Sequence, residues 1–199
     1  SDYSGSMPAD DIADVSALYQ DLADFLMQVS QMEHILFSGS VLQKAEFTRS
    51  KDELEAALGF DSSIERSSTA LFDSMGLGLE HLASSTRPGK IMIIGTDGME
   101  NASLSYTKEM IVEAIAAQPQ LMVVFMASNF ADLNLIKELT GNRGFYTFMR
   151  NIRDAKTRML EFSRALRESV KITLNAPYDT VENVKVTVPD QDLSINFEI

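Results

Sequence analysis

The chain contains no cysteine and only two histidines, His34 and His81, in 199 residues. Without thiols it has no disulfide framework, no thiolate zinc site and no cysteine nucleophile; the redox compartment stays open, because a cysteine-free domain works in either. His34 sits in a strand-like setting and His81 in a helical one, where packing or surface roles outweigh catalysis. Basic residues are scarce as well, 17 Lys and Arg against 29 Asp and Glu, for a formal net charge of −12. Phosphate backbones and anionic membranes are repelled on average, which argues against nucleic acid as a partner. A bound divalent cation would offset part of that charge locally and recruit an acidic ligand, so global charge alone does not choose the partner. No apolar run approaches the roughly 20 residues that span a bilayer, and the first residues lack a basic stretch followed by an apolar one. We expect neither a membrane anchor nor a signal peptide in this stretch, which leaves cytoplasmic and extracellular settings both open. Also absent are a Gly-x-Ser-x-Gly elbow, a phosphate-binding Walker loop, a dinucleotide glycine fingerprint and a His-Glu-x-x-His zinc motif.

What is present is a composition of 45% hydrophobic and 23% charged residues, ordinary for one globular domain with a full core. Ile12, Val15, Leu18, Tyr19, Leu22, Phe25, Leu26 and Val29 recur at helical intervals, predicting a helix over 9–31, with Pro8, Asp10 and Asp11 suited to its start. Residues 33–37 and 41–48 read as a hairpin around Ser38-Gly39-Ser40, its second strand an antiparallel edge. Short helices are expected from Ser50 to Leu58 and from Ala70 to Leu82. Lys90–Gly95, an isoleucine-rich run ending at Thr96-Asp97-Gly98, looks like a buried parallel strand delivering a loop at its carboxyl end. Helix 105–117, strand 121–126, helix 131–140, a strand at 144–148 and a helix over 151–169 follow. This alternation predicts an α/β domain with a doubly wound, mostly parallel, Rossmann-like sheet and helices on both faces. Met92, Met122 and Met126 are core gap-fillers. Asn101-Ala102-Ser103 matches the N-glycosylation pattern fortuitously.

The chain opens Asp2-Tyr3-Ser4-Gly5-Ser6, whose alternating oxygens one loop can turn toward one point. A hard cation such as Mg²⁺ prefers such carboxylate and hydroxyl oxygens to imidazole or thiolate. Alone, this run is no more than a polar turn. Followed in order by Thr69, by Ile91-Met92-Ile93-Ile94-Gly95-Thr96-Asp97-Gly98, and by Leu139-Thr140-Gly141-Asn142-Arg143-Gly144-Phe145, it resembles a von Willebrand factor A domain from residue 2 to about 168. That resemblance implies a metal-ion-dependent adhesion site, with Asp2, Ser4 and Ser6 as first-loop ligands, Thr69 from a second loop, and Asp97 from a third, direct or through water. Ser67-Ser68 stand where many members carry a glycine pair. It implies Mg²⁺, with Mn²⁺ or Ca²⁺ as substitutes, and a protein ligand whose acidic side chain completes the metal shell.

The family also has a buried strand before its first metal loop, yet only Ser1 precedes Asp2 here. Val184–Val188 and Leu193–Ile199 both alternate like strands, and the last would run naturally into Asp2 if the ends were joined. A circularly permuted single domain over 1–199 is the favoured reading, with a core over 1–170 and a β segment over 171–199. A truncated stretch, or a strand donated by another chain, are the alternatives. The leading expectation is a non-catalytic, divalent-metal-dependent protein-binding module, as in cell adhesion, able to couple Asp97 coordination to movement of the last helix. A non-catalytic adaptor of an ATPase or chelatase-type complex is the second. A metal-assisted hydrolase using Asp97 or Asp2 as base ranks last, because no positioned histidine or second acid is visible. Ligand identity and oligomeric state stay open.

Overall fold

A computed structural model describes residues 1–26, 30–58, 64–87, 89–129, 131–141, 144–148, 157, 183–188 and 193–198. The chain divides into two units, Ser1–Arg167 and Glu168–Ile199. In the first, the described elements run α1 (Ala9–Leu26), β1 (Met32–Phe37), β2 (Val41–Thr48), α2 (Lys51–Leu58), α3 (Leu71–Ser84), β3 (Lys90–Thr96), α4 (Lys108–Ala116), β4 (Leu121–Ala127), α5 (Leu133–Thr140) and β5 (Gly144–Phe148). In the second, β6 (Asn183–Val188) and β7 (Leu193–Glu198) form an antiparallel hairpin, Val184 opposite Phe197 and Val188 opposite Leu193. The helix expected over 151–169 lies outside the described residues, Thr157 excepted.

The parallel sheet runs β3-β4-β5 in register, with Ile94 opposite Phe125 and Phe125 opposite Tyr146. β1 and β2 pair antiparallel, closing at Phe37↔Val41. Ser1–Tyr3 tie these two pieces together. Phe37 donates to the Ser1 carbonyl at 2.9 Å and Tyr3 donates to that of Phe37 at 2.7 Å, while Asp2 donates to the Gly95 carbonyl at 3.0 Å on the other side. The Asp2–Phe37 bridge is parallel. The first three residues are therefore a short central strand between β1 and β3.

Alternation along β3 sends Ile91 and Ile93 to one face and Met92 and Ile94 to the other. The first pair packs with Ile12, Val15, Leu18, Leu22, Leu54 and Leu58 of α1 and α2. The second packs with Leu71, Met75, Leu79, Ile111 and Ile136 of α3, α4 and α5. Both faces of the sheet are thus dry, which is why the parallel strands carry apolar runs rather than alternation.

Element boundaries moved where side chains outcompeted periodicity. α1 is described to Leu26 and does not reach the expected end at 31, because Ser30 and Gln31 already lead into β1. α4 begins at Lys108 rather than at 105: the Asp73 carboxylate takes the N–H groups of Leu104, Ser105 and Tyr106 at 2.9 Å each, and Thr107 caps the helix. α5 begins at Leu133 because Asp132 accepts from Asn134 and Leu135.

Gly144 opens β5 where the backbone passes Val123 so closely that a Cβ would lie 2.1 Å from its carbonyl oxygen. That oxygen belongs to a central strand and cannot move aside. Gly144→Ala is expected to cost about 2–3 kcal/mol, read as a lower urea midpoint with unchanged slope; an unchanged midpoint would show that β5 yields freely.

Candidate metal centre

The five residues singled out by sequence come from three loops at the carboxyl ends of the central strands. Asp2, Ser4, Thr69 and Asp97 are buried, at 2%, 0%, 1% and 2% exposure, and Ser6 is exposed at the rim. The first loop turns on itself: Ser4 donates its N–H to Asp2 Oδ1 at 2.8 Å, and the Ser4 and Ser6 hydroxyls are 3.1 Å apart. Thr96 donates its hydroxyl to Asp2 Oδ2 at 2.6 Å, fixing that carboxylate against β3. Thr96 Oγ1 also accepts from Gly98, whose φ of 73° is the left-handed turn that glycine adopts freely. Asp97 accepts from Met99 at 3.0 Å.

The second loop is held from both sides. Gly5 donates to the Ser67 carbonyl at 2.8 Å, and Arg66 donates to the carbonyls of Ser4 and Met7. Across the site, Thr69 donates to Asn101 Oδ1 at 2.8 Å, while its carbonyl accepts from Asn101 and Ala102 at 3.1 Å. The Ser67-Ser68 pair fits because the facing residue is Gly39. A Cβ there would sit 2.6 Å from Ser67 Oγ and 3.1 Å from Ser68 Oγ. Ser38 completes the contact, accepting from the Ser67 N–H and donating to the Ser68 carbonyl. The bulk that a glycine pair would spare on one loop is accommodated by a glycine on the other.

Sequence reading overlooked the residues that stiffen the third loop. Glu100 accepts from Phe72, Ala102 and Ser103, and Ser103 accepts from Asp73. Since Ala70 offers α3 no side-chain cap, the first free N–H groups of that helix are satisfied from this loop. Asp73 answers by binding three N–H groups of the same loop; burial works against its ionisation, but those bonds prevail and hold its carboxyl below the usual range. The acid in the first turn of a helix and the acid three residues after Asp97 were the available signals.

Electrostatically, the centre is two acids with the buried Ser1 amino group near Asp2. Burial raises the Asp2 carboxyl above its ordinary value, against hydrogen bonds from Thr96 and Ser4, and the charge of Asp97 pushes the same way. No lysine, arginine or histidine forms an ion pair with either acid among the described residues. Nor, among those residues, do three or more His, Cys, Asp or Glu gather as a metal-binding group. The donor set is two carboxylates with hydroxyls, the chemistry that suits an oxygen-preferring divalent cation keeping some of its water.

No family model matches the chain, and no curated protein does. Solved structures do. The fold is similar to BatB, a conserved hypothetical protein from Bacteroides thetaiotaomicron, at 19% identity and a TM-score of 0.68 over 84% of this chain and 96% of that one. It is similar to the von Willebrand factor domain of Mfa5, the type V pili tip protein of Porphyromonas gingivalis, at 10% identity and 0.67 over 86% and 95%. A third is proximal thread matrix protein 1 from the mussel byssus, with a zinc-occupied metal-ion-dependent adhesion site, at 15% identity and 0.60 over 81% of this chain and 46% of that one. Parallel sheet, flanking helices and three clustered loops together establish that this chain has the von Willebrand factor A fold.

Proposed function

We propose that the domain is a divalent-metal-dependent protein-interaction module and not an enzyme. The observation that carries this reading is the pair of buried acids, Asp2 and Asp97, set among hydroxyls, with no lysine, arginine or histidine paired to them among the described residues. Asp2, Ser4, Ser6, Thr69 and Asp97 would hold Mg²⁺, with Mn²⁺ or Ca²⁺ as substitutes. The bound cation supplies a positive Lewis-acid point that an acidic side chain of a partner protein can complete. The chain's own residues do the positioning: Thr96 and the Ser4 N–H aim the Asp2 oxygens, Asn101 fixes the Thr69 backbone, and Glu100 stiffens the third loop. Met99 and Leu104 expose apolar surface on that loop, Leu104 at 95%, where a partner gains contact area beside the charge. Among the named structures, Mfa5 is a pilus tip protein, which supports an adhesive setting. Among the described residues no helix is long and apolar enough to cross a membrane.

The test is binding of an acidic peptide library to the immobilised domain with Mg²⁺, with Mn²⁺ and with EDTA. Capture that requires the divalent ion supports the reading; capture unchanged by EDTA overturns it. Loop stiffness gives a second prediction. Glu100→Ala strands the N–H groups of Phe72, Ala102 and Ser103, so Mn²⁺ affinity should fall about tenfold while the domain stays folded. Wild-type affinity by calorimetry would show that the third loop needs no such brace.

A further inference from the structure

The second metal loop also lines a cavity of its own. The turn between β1 and β2 is pinned to that loop at Ser38, whose hydroxyl accepts from the Ser67 N–H at 3.0 Å and whose carbonyl accepts from Ala70 at 2.7 Å. Beside this seam lies a cavity of about 350 Å³, within the size range of small-ligand sites. Leu36, Val41, Leu42 and Ile64 give it apolar walls, and the hydroxyl residues Ser40, Ser67 and Ser68 line it together with Glu65. Those three hydroxyls make no hydrogen bond among the described residues, and Glu65 makes no ion pair there. Arg66, next in the chain, is drawn off to the carbonyls of Ser4 and Met7, so it does not neutralise its neighbour. No lysine, arginine or histidine is among the described residues that line the cavity. Leu42, at 44% exposure, and the exposed Glu65 open it to solvent.

We propose that this cavity is a second subsite for the protein partner, and that it takes a long basic side chain standing within about five residues of the acid that completes the metal shell. The proposal rests on the reading of Asp2 and Asp97 as a metal centre, which anchors the rest of the partner. The closeness follows from the chain: Ser67 and Ser68 line the cavity and Thr69 comes next, so one loop serves both sites. The charge follows from Glu65. A second acid or a phosphate would meet that carboxylate, whereas an ammonium donates three hydrogen bonds, accepts none, and finds carboxylate and hydroxyl oxygens to receive them. The length follows from the apolar walls, on which the methylene stem of a lysine packs while its head stays polar. A purely apolar side chain would cover the walls but strip water from Glu65 and the hydroxyls without replacing it. The partner is therefore bipolar, an acid for the cation and a base for Glu65, which also lowers the repulsion an acidic ligand meets from a chain of net charge −12.

The test uses fluorescent peptides with one central aspartate. Lysine, glutamine, glutamate or diaminopropionate is placed in turn at each of the five positions on either side, and each peptide is titrated onto the full chain with Mn²⁺ and with EDTA. At one or two positions lysine should bind about fivefold tighter than glutamine. Diaminopropionate carries the same charge on a one-carbon stem and should bind no tighter than glutamine, which separates entry into the cavity from diffuse attraction to an acidic protein. Glu65→Lys changes an exposed side chain, so it should keep the melting temperature and the Mn²⁺ requirement while inverting the preference, glutamate now binding better than lysine. Mn²⁺-dependent binding with no advantage for lysine, an equal advantage for diaminopropionate, or an advantage that Glu65→Lys leaves untouched overturns the subsite while the metal reading stands. A lysine advantage that Glu65→Lys inverts but EDTA leaves unchanged supports the subsite and overturns the metal reading. Failure of the folded chain to bind any of the peptides overturns both.

Discussion

Replacing Asp2 with asparagine should leave the domain folded and abolish its thermal response to Mg²⁺ or Mn²⁺. A carboxyl whose value is raised on folding binds its proton more tightly in the native state. Native stability therefore falls as pH rises from the ordinary carboxylate value through the raised one, and at neutral pH the ionised Asp2 is a cost that a cation offsets. Asparagine removes that cost without removing the geometry. Its carbonyl oxygen still accepts from Ser4, and Thr96 can rotate its hydroxyl to accept from the amide. In EDTA the variant should melt at or above the wild type. With a divalent ion at about 100 times its dissociation constant, the wild type gains about 2.7 kcal/mol, which in a chain of this size is about 5–10 °C, and the variant gains nothing. Wild-type metal affinity should also rise with pH through the raised range of Asp2, because the proton must leave before the metal enters. A D2N variant that keeps the full metal response would place the cation elsewhere.

The parallel strands could be read from the chain because each had its own punctuation: Lys90–Thr96 ended at Asp97-Gly98, and β4 was a short apolar run after Pro119 and Gln120. All five described helices were expected as well. The starts of α4 and α5 were not legible, because Asp73, Thr107 and Asp132 set them through hydrogen bonds to residues that no apolar pattern marks. The centre divides in the same way. Asp2, Thr69 and Asp97 could be proposed because their residue types and order are distinctive, and the fold brings their loops together through Gly95, Ser67 and Asn101. Glu100, Asp73 and Arg66 were not visible, because they act on backbone groups far away in sequence and any surface acid or arginine looks the same in one dimension.

Acidification should destabilise the domain through His34, before most carboxylates titrate. The ring is buried at 6% exposure, edge-on to Tyr19 with centroids 6.3 Å apart. Nδ1 is 2.9 Å from the Ala57 carbonyl, which can only accept, so Nδ1 carries the proton and Nε2, 2.9 Å from Ser1 Oγ, accepts from that hydroxyl. Burial, with help from the nearby amino terminus, pushes the imidazole down to about 3, against the bond to Ala57. An unfolded histidine takes up a proton below about 6.5 and the folded one refuses it until about 3, so stability is lost as pH falls through that window. The slope is about 1.4 kcal/mol per pH unit, and the full window is worth about 5 kcal/mol, a large share of the 5–15 kcal/mol that domains usually possess. Between pH 6.5 and 5, where carboxylates contribute little, urea midpoints should fall steadily in the wild type and in His81→Asn. In His34→Asn, whose amide nitrogen can still donate to Ala57 but does not titrate, the slope should be about half as steep, the remainder coming from the buried Ser1 amino group, which burial pushes down to about 5 and which also loses stability as pH falls through this range. Since these are the only two imidazoles in the chain, a His34→Asn variant with the wild-type slope would mean that the ring protonates without cost in the folded state.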